Sequence, residues 1–211
     1  MAAPEDGAAA VPWDDGRTKA FEEKLAAPDV EDLFSIPYRS GPIQPVTAAD
    51  DDPGRIRVDA LFQATYGHSE EEVRRSLVPV EILGQRLMVH RRAQAAFQRV
   101  AARLEALVRA DAGLRPFLEH LGGTFLWRKI ANTDRQSAHS YGVSLDLNVR
   151  RSHYWEWQKP KDPVRWRNAI PQAIVDAFEA EGFIWGGRWY HYDTMHFELR
   201  PELVDPRCRW R

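Results

Sequence analysis

Ser137-Ala138-His139-Ser140-Tyr141-Gly142-Val143-Ser144-Leu145-Asp146-Leu147-Asn148 is the stretch on which the reading of this chain turns. Its second half alternates apolar and polar residues, the period of a strand with one buried face. Asp146 then shares a face with Ser144 and Asn148, while Val143, Leu145 and Leu147 face the other way. Gly142 marks a turn, so His139 sits on the loop entering the strand and folds back beside Asp146. Far downstream, Met195-His196-Phe197-Glu198-Leu199 alternates in the same way and puts His196 and Glu198 on one face. Two neighbouring strands would present His139, Asp146 and His196 to a single point.

Two imidazoles and one carboxylate suit one zinc ion and leave a fourth position open, the mark of a catalytic rather than a structural site. Hydrolysis also needs a base to take a proton from water and return it to the leaving amine. Asp193, three residues before His196, is the expected base. Taken singly, each of these residues has a commoner explanation: a capping histidine or a turn aspartate. Their combination with the glycine and the strand alternation is what singles them out.

The pattern Ser-x-His-x-x-Gly-x-x-x-Asp, followed by Asp-x-x-His, resembles the zinc D-Ala-D-Ala carboxypeptidase family. That family includes VanY-like carboxypeptidases, D-Ala-D-Ala dipeptidases and phage L-alanyl-D-glutamate endolysins. The resemblance is to the longer VanY-like domains and runs from about Arg55 to Pro201. It implies zinc on His139, Asp146 and His196, with Asp193 as acid/base. It also implies an upstream arginine that binds substrate and stabilises the oxyanion. Arg128 fits that place best, with Arg135 the alternative. Ser144 departs from the pattern, since the family usually has Ala there, and the expected consequence is a changed hydrogen bond beside the metal.

The resemblance implies the hedgehog/D,D-peptidase fold and a substrate drawn from peptidoglycan stem peptides, cut at a D-Ala-D-Ala terminus. The alternatives are an endopeptidase cutting L-Ala-D-Glu or a cross-bridge, and a zinc-containing cell-wall binding module that no longer cleaves. Ser137, Tyr141, Trp155 and Trp185 are the expected substrate contacts. His191 is expected beside Asp193, orienting it or meeting the tetrahedral intermediate, and Glu198 is expected to accept the second N–H of a ligand histidine. His153 is expected on the rim rather than as a fourth ligand.

Composition narrows the function class. With 211 residues the chain can bury a substantial core. A formal charge of -2 argues against nucleic acid or an anionic membrane as partner. Eight tryptophans, most of them after position 126, suit either core or a peptide- or glycan-binding wall. A single cysteine, Cys208, excludes an intrachain disulfide. No apolar run is long enough to span a membrane, and the first residues lack the basic and apolar regions of an export signal. The expectation is a monomer acting in the periplasm or cell envelope, its export signal absent from this chain.

The domain reading is an extended N-terminal arm over 1–55 and a catalytic domain over 56–211. Five prolines between Pro28 and Pro53 forbid a long helix in the arm, although Thr18 to Ala26 has room for a short one. Phe34, Ile36 and Tyr38 are its expected anchors. Arg57 to Tyr66 reads as a short helix or turn, and Ser69 caps another short helical piece. Val78 to Leu83 and Arg86 to Val89 flank Gly84-Gln85 as a hairpin. Arg91 to Ala110 is a helix with an apolar stripe of Phe97, Val100, Leu104, Leu107 and Val108, ended by Gly113. Leu114 to Leu121 reads as helical, and Thr124 to Arg128 as a strand. Asn132 to Gln136 and Pro160 to Arg167 are loops. Asn168 is expected to cap a helix over Pro171 to Glu181, Phe183 to Trp189 returns as strand and turn, and Arg207, Arg209 and Arg211 lie on a solvated tail. Helices with a small antiparallel sheet and no βαβ alternation make the fold α+β.

Overall fold

The computed structural model describes residues 11–130, 133–160 and 163–208. Two short helices come first, α1 (Phe21–Ala26) and α2 (Val30–Phe34), followed by α3 (Asp59–Tyr66) and α4 (Glu70–Arg75). A hairpin of β1 (Leu77–Ile82) and β2 (Gln85–His90) leads into the long α5 (Gln94–Ala110) and the short α6 (Arg115–Leu118). The remainder holds β3 (Ser144–Asp146), α7 (Gln172–Glu179), β4 (Phe183–Trp185), β5 (His196–Leu199) and α8 (Pro201–Val204). The fold is mixed helix and strand, with small antiparallel sheets flanked by helices.

The sheet that matters for the site has strand order β3-β5-β4, antiparallel throughout. Its register sets Asp146 directly opposite His196, Leu145 opposite Phe197 and Ser144 opposite Glu198. Directly opposed residues on one face have neighbouring side chains, so the pairing itself brings two of the expected ligands together. Gly142 enters β3 with φ +65, a left-handed conformation suited to glycine. A Cβ there would stand 3.0 Å from the His90 nitrogen, which donates to the Gly142 carbonyl at 2.9 Å. This glycine therefore lets the stretch before β3 lie against the end of the β1–β2 hairpin.

Behind the sheet sits the core. α5 turns Phe97, Val100, Leu104 and Val108 inward, four of the five stripe residues, and Leu107 is half-buried. α7 buries Ile174, Val175, Ala177 and Phe178. Phe178 stacks on Phe197 of the central strand at 4.0 Å between ring centroids, and Phe97 meets Phe183 edge-on at 4.9 Å. Two helices thus clamp the back of β4 and β5, whose opposite end carries the site.

Several expected boundaries moved, each for a local reason. The hairpin turn is Leu83-Gly84, not Gly84-Gln85, because Ile82 pairs with Gln85. Both turn residues have positive φ, 49° and 77°, as the twist of a two-residue hairpin demands. α5 starts at Gln94 rather than Arg91 because the His90 ring takes the Arg92 N–H at its Nδ1, holding 91–93 in a turn. That helix ends at Asp111, not Gly113: Asp111 leaves the helix at φ -140° and its carboxylate accepts from the Gly113 nitrogen. Helix α6 is only four residues long.

Thr124 to Arg128 is not a strand. After one bridge between Gly123 and Asp146, the segment runs beside the 3-10 turn Ala138–Tyr141, which offers no ladder, and the Ser140 hydroxyl meets the Arg128 backbone instead. Asn168 does not cap α7; its side chain bonds the Ile170 backbone on both sides, and α7 starts after Pro171 without a side-chain cap. Expectations for residues 1–10, Asn132, the middle of the 160–167 loop, Arg209 and Arg211 lie outside the described residues. Arg207 is exposed and paired with Asp205.

The N-terminal segment is packed rather than loosely draped. Leu33 and Tyr38 join Val58, Ile184, Trp189 and Leu203 in a second apolar cluster. The Tyr38 hydroxyl donates to Glu179 and accepts from the Trp185 nitrogen. Phe34 and Ile36, the other expected anchors, are half-buried. α2 is closed at its start by reciprocal bonds between Asp29 and Asp32, with the Lys19 ammonium buried against both carboxylates at 2.9 and 2.7 Å.

Candidate metal centre and catalytic cavity

His139 lies on the 3-10 turn Ala138–Tyr141, whose first residue is preceded by Ser137; the Ser137 Oγ accepts the His139 N–H at 3.3 Å. That turn projects the imidazole back over the end of β3. His139 Nε2 stands 3.2 Å from Asp146 Oδ1 and 3.2 Å from His196 Nδ1, and the third side of the triangle, His196 Nδ1 to Asp146 Oδ1, is 3.1 Å. These are the separations of neighbouring ligands around an ion bound at about 2 Å, the zinc–nitrogen and zinc–oxygen range. Among the described residues this is the one metal-competent cluster containing histidine. The donor set of two imidazoles and one carboxylate fits zinc.

Glu198 decides which nitrogen of His196 faces the cluster. His196 Nε2 lies 3.2 Å from Glu198 Oε2, so that nitrogen carries the proton and Nδ1 is left as the ligand atom. Glu198 is completely buried. Burial alone would push its carboxyl up, but the Arg57 guanidinium overrides it and, with His196 and Arg200, holds Glu198 well below the usual carboxylate range. Arg57 grips it with both Nε (3.0 Å) and Nη2 (2.5 Å), and Arg200 Nη1 adds a third bond at 3.1 Å. Asp146 is likewise held ionised: the His139 and His196 rings outweigh the burial that opposes its charge.

Asp193 sits in the loop before β5, its nitrogen bonded to the Gly186 carbonyl at 3.0 Å. Its Oδ1 is sealed from bulk water and has no hydrogen-bond partner. Burial, then the neighbouring Asp146 charge, push its carboxyl up to about 7, against the pull of His196, the Met195 backbone N–H and Arg128. A buried carboxylate with an idle oxygen and a pKa near neutrality, beside a metal-competent cluster, has the properties of a general base.

His139, Asp146, His196, Asp193 and Arg57 open on one cavity of about 400 Å³, with Glu198 and Arg200 buried outside its lining. Arg128 and Arg135 both line it. Their guanidinium groups donate to backbone carbonyls, those of Lys129 (3.3 Å) and Arg55 (2.9 Å), and neither is ion-paired among the described residues. Burial, then repulsion from Arg57 and Arg55, lowers Arg135 to about 10. Ser137 and Trp155 also line the cavity.

Tyr141 and Trp185 do not reach it. Tyr141 is 1% exposed and packs on Phe62 and Trp127; Trp185 is fully buried, stacked on Phe197, with its Nε1 donating to the Thr194 carbonyl. Trp185 therefore braces the loop that carries Asp193 instead of touching substrate. His191 lines the cavity, but its partner is Asp52 rather than Asp193. His153 stands outside the ligand cluster; its backbone bonds Thr194 in both directions, tying the 153 loop to the Asp193 loop. Ser144 Oγ is buried without a partner, so the departure from Ala removes no bond and adds none.

Residues 131–199 match the family model described as D-alanyl-D-alanine carboxypeptidase. Over this segment the chain is similar to that family. The D-alanyl-D-alanine carboxypeptidase match contains all three cluster residues and Asp193, and supports a peptidoglycan-acting peptidase at the level of the family, whose members are generally zinc-dependent.

Asp52, Arg55 and Arg57 lie before the matched segment and were not singled out by motif. One signal was available: Arg55-Ile56-Arg57-Val58 alternates charge with apolar residues, and Ile56 and Val58 are indeed buried. Nothing local marks Asp52, whose partner lies 139 residues away.

Proposed function

We propose that this protein is a zinc-dependent peptidase that removes the terminal D-Ala from peptidoglycan stem peptides, with one ion held by His139 Nε2, Asp146 and His196 Nδ1. The observation that carries this reading is the 3.1–3.2 Å triangle of candidate ligand atoms with Asp193, whose Oδ1 has no hydrogen-bond partner, on the same cavity. A zinc ion there supplies carbonyl polarisation and acidifies water to a pKa of roughly 7. Asp193 accepts the proton of the attacking water and passes it to the leaving amine. Glu198, clamped by Arg57 and Arg200, fixes the His196 ring so that its Nδ1 stays turned to the cluster.

The carboxypeptidase rather than endopeptidase assignment rests on the guanidinium groups of Arg128 and Arg135, neither of which has an ion-pair partner among the described residues. A free C-terminal carboxylate offers both of them a charge-assisted partner and relieves the crowding of like charge around Arg135. An internal peptide bond brings no such anion to the scissile position. Arg128, on the same cavity as Asp193 and one of the charges that pull its carboxyl down, is the group assigned here to meet the developing oxyanion. Ser137 and Trp155 contribute to the substrate wall. The substrate places the enzyme outside the cytoplasm, in the cell envelope, acting as a monomer; among the described residues no helix is long and apolar enough to cross a membrane.

Incubation with stem pentapeptides and cross-linked muropeptides, with and without chelator, tests this by mass spectrometry of the products. Chelator-sensitive release of D-Ala is the expected result. Cleavage only within the stem or cross-bridge would replace the carboxypeptidase by an endopeptidase, and binding without cleavage would leave a receptor module.

A further inference from the structure

We propose that Asp52 is a positioning residue of this site, acting through His191 to complete the cavity from a part of the chain outside the family-matched segment. The inference rests on the peptidase reading above. Residues 51–57 are fastened to the site-bearing half of the molecule almost residue by residue. The Tyr190 nitrogen donates to the Asp51 carbonyl (3.0 Å), Trp189 Nε1 to the Pro53 carbonyl (2.7 Å), Arg200 Nη1 to the Gly54 carbonyl (3.1 Å) and Arg135 Nη1 to the Arg55 carbonyl (2.9 Å). Gly54 has φ +89, and a Cβ there would stand 2.4 Å from Ile184 Cδ1, so the run lies too close to β4 for a side chain at that point. The expected arm–domain boundary at 55/56 falls inside this run.

Within it, Asp52 is wholly buried and aims its carboxylate at one residue. Oδ1 accepts from the His191 backbone nitrogen at 3.0 Å and Oδ2 from the ring Nδ1 at 2.6 Å, while Arg55 ion-pairs with Oδ2 from the other side. An ionised carboxylate only accepts, so the proton of this bond sits on His191 Nδ1 and Nε2 is the nitrogen left for the cavity that His191 lines. The ring is also held edge-on against Trp155 at 4.7 Å and Tyr190 at 5.0 Å. His191 is not one of the metal-competent cluster. Fixed by a buried anion and two aromatic rings, it offers Nε2 as a preset hydrogen-bonding group to peptide bound beside Asp193. Asp52 touches no substrate; it sets the tautomer and the angle of a residue that does.

The test uses the full chain, with Asp52→Asn, His191→Ala and the double variant assayed for D-Ala release. Each single change is expected to lower kcat by about tenfold to a hundredfold, the scale on which small misplacement of a group acts, with metal content unchanged. Because Asp52 acts through His191, the double variant should be no slower than His191→Ala alone. Additive losses, or an Asp52→Asn enzyme with normal kcat, would overturn the proposal. Independently of turnover, the His191 Nδ1 proton should appear far downfield in the NMR spectrum of metal-free and loaded protein and vanish in Asp52→Ala. Its absence from the unaltered protein overturns the pair. A pair that is present in a protein with no chelator-sensitive hydrolysis overturns the peptidase reading, and the catalytic role of Asp52 with it.

Discussion

Asp193 is the residue whose chemistry is most exposed to test. Its Oδ1 is shut away from water without a partner, and its carboxyl is pushed up to about 7 by burial and by the Asp146 charge. A base works deprotonated, so activity is gained as pH rises through this pKa. A cation on Asp146 offsets the repelling charge, so in the loaded enzyme the acid limb of kcat/KM against pH should fall below 7 and vanish in Asp193→Asn. That variant should keep its metal and lose about 10² or more in kcat, the scale of general-base loss; an unchanged rate would remove Asp193 from its role. Glu198 yields a second expectation at this scale. Glu198→Gln strips the buried Arg57 of its anion and leaves Arg200 with Glu202 alone. Breaking a buried pair in this way costs about 3–5 kcal/mol, and loosening a ligand histidine costs roughly 10–100-fold in metal affinity. Denaturant titration and a competition assay for the metal would read the two losses separately. These side chains could be picked out in the sequence, Glu198 by the alternation along β5 and Asp193 by its place three residues before His196. Tyr141 and Trp185 were misplaced because an aromatic near a site in sequence has the same appearance whether it lines a wall or fills the core behind it.

At the scale of elements, β5 is the hinge of the design: central in its sheet, it carries His196 and Glu198 toward the cavity and Phe197 toward α7. Alternation along Met195 to Leu199 announced this division, as it did for β3, because strand side chains alternate by geometry. Phe178→Ala removes the ring stacked on Phe197 and should cost about 3–5 kcal/mol, seen as a lowered Tm. The ligand atoms lie on the other face of β5, so the metal affinity of the folded variant should change little by comparison; a loss as large as that of Glu198→Gln would show that the two faces are coupled. The elements that sequence misjudged share one feature. At His90, Asp111, Ser140 and Asn168 a side chain takes over backbone hydrogen bonding, which shortens or displaces a regular element. Period and propensity do not register such substitutions.

For the whole molecule, the cluster is assembled from β3, β5 and the turn before β3, and residues 52–57 close its surroundings through Asp52, Arg55 and Arg57. Metal binding should therefore stabilise the fold as a unit: at a hundredfold excess over Kd the gain is about 2.7 kcal/mol, or about 2–4 °C of Tm for each kcal/mol in a chain of this size. Zinc titration followed by calorimetry would check this, and a Tm indifferent to chelator would contradict a site built across these elements. The sequence by itself marked out His139, Asp146 and His196, Asp193 three residues before the last of them, and the strand faces that carry Asp146 and His196, since each depends on neighbours a few residues apart. Only the tertiary structure decided which arginines and which aromatic rings stand around them, and that Asp52 holds His191. Those pairings join residues up to 141 positions apart, and no local pattern encodes a partner that the fold alone brings within reach.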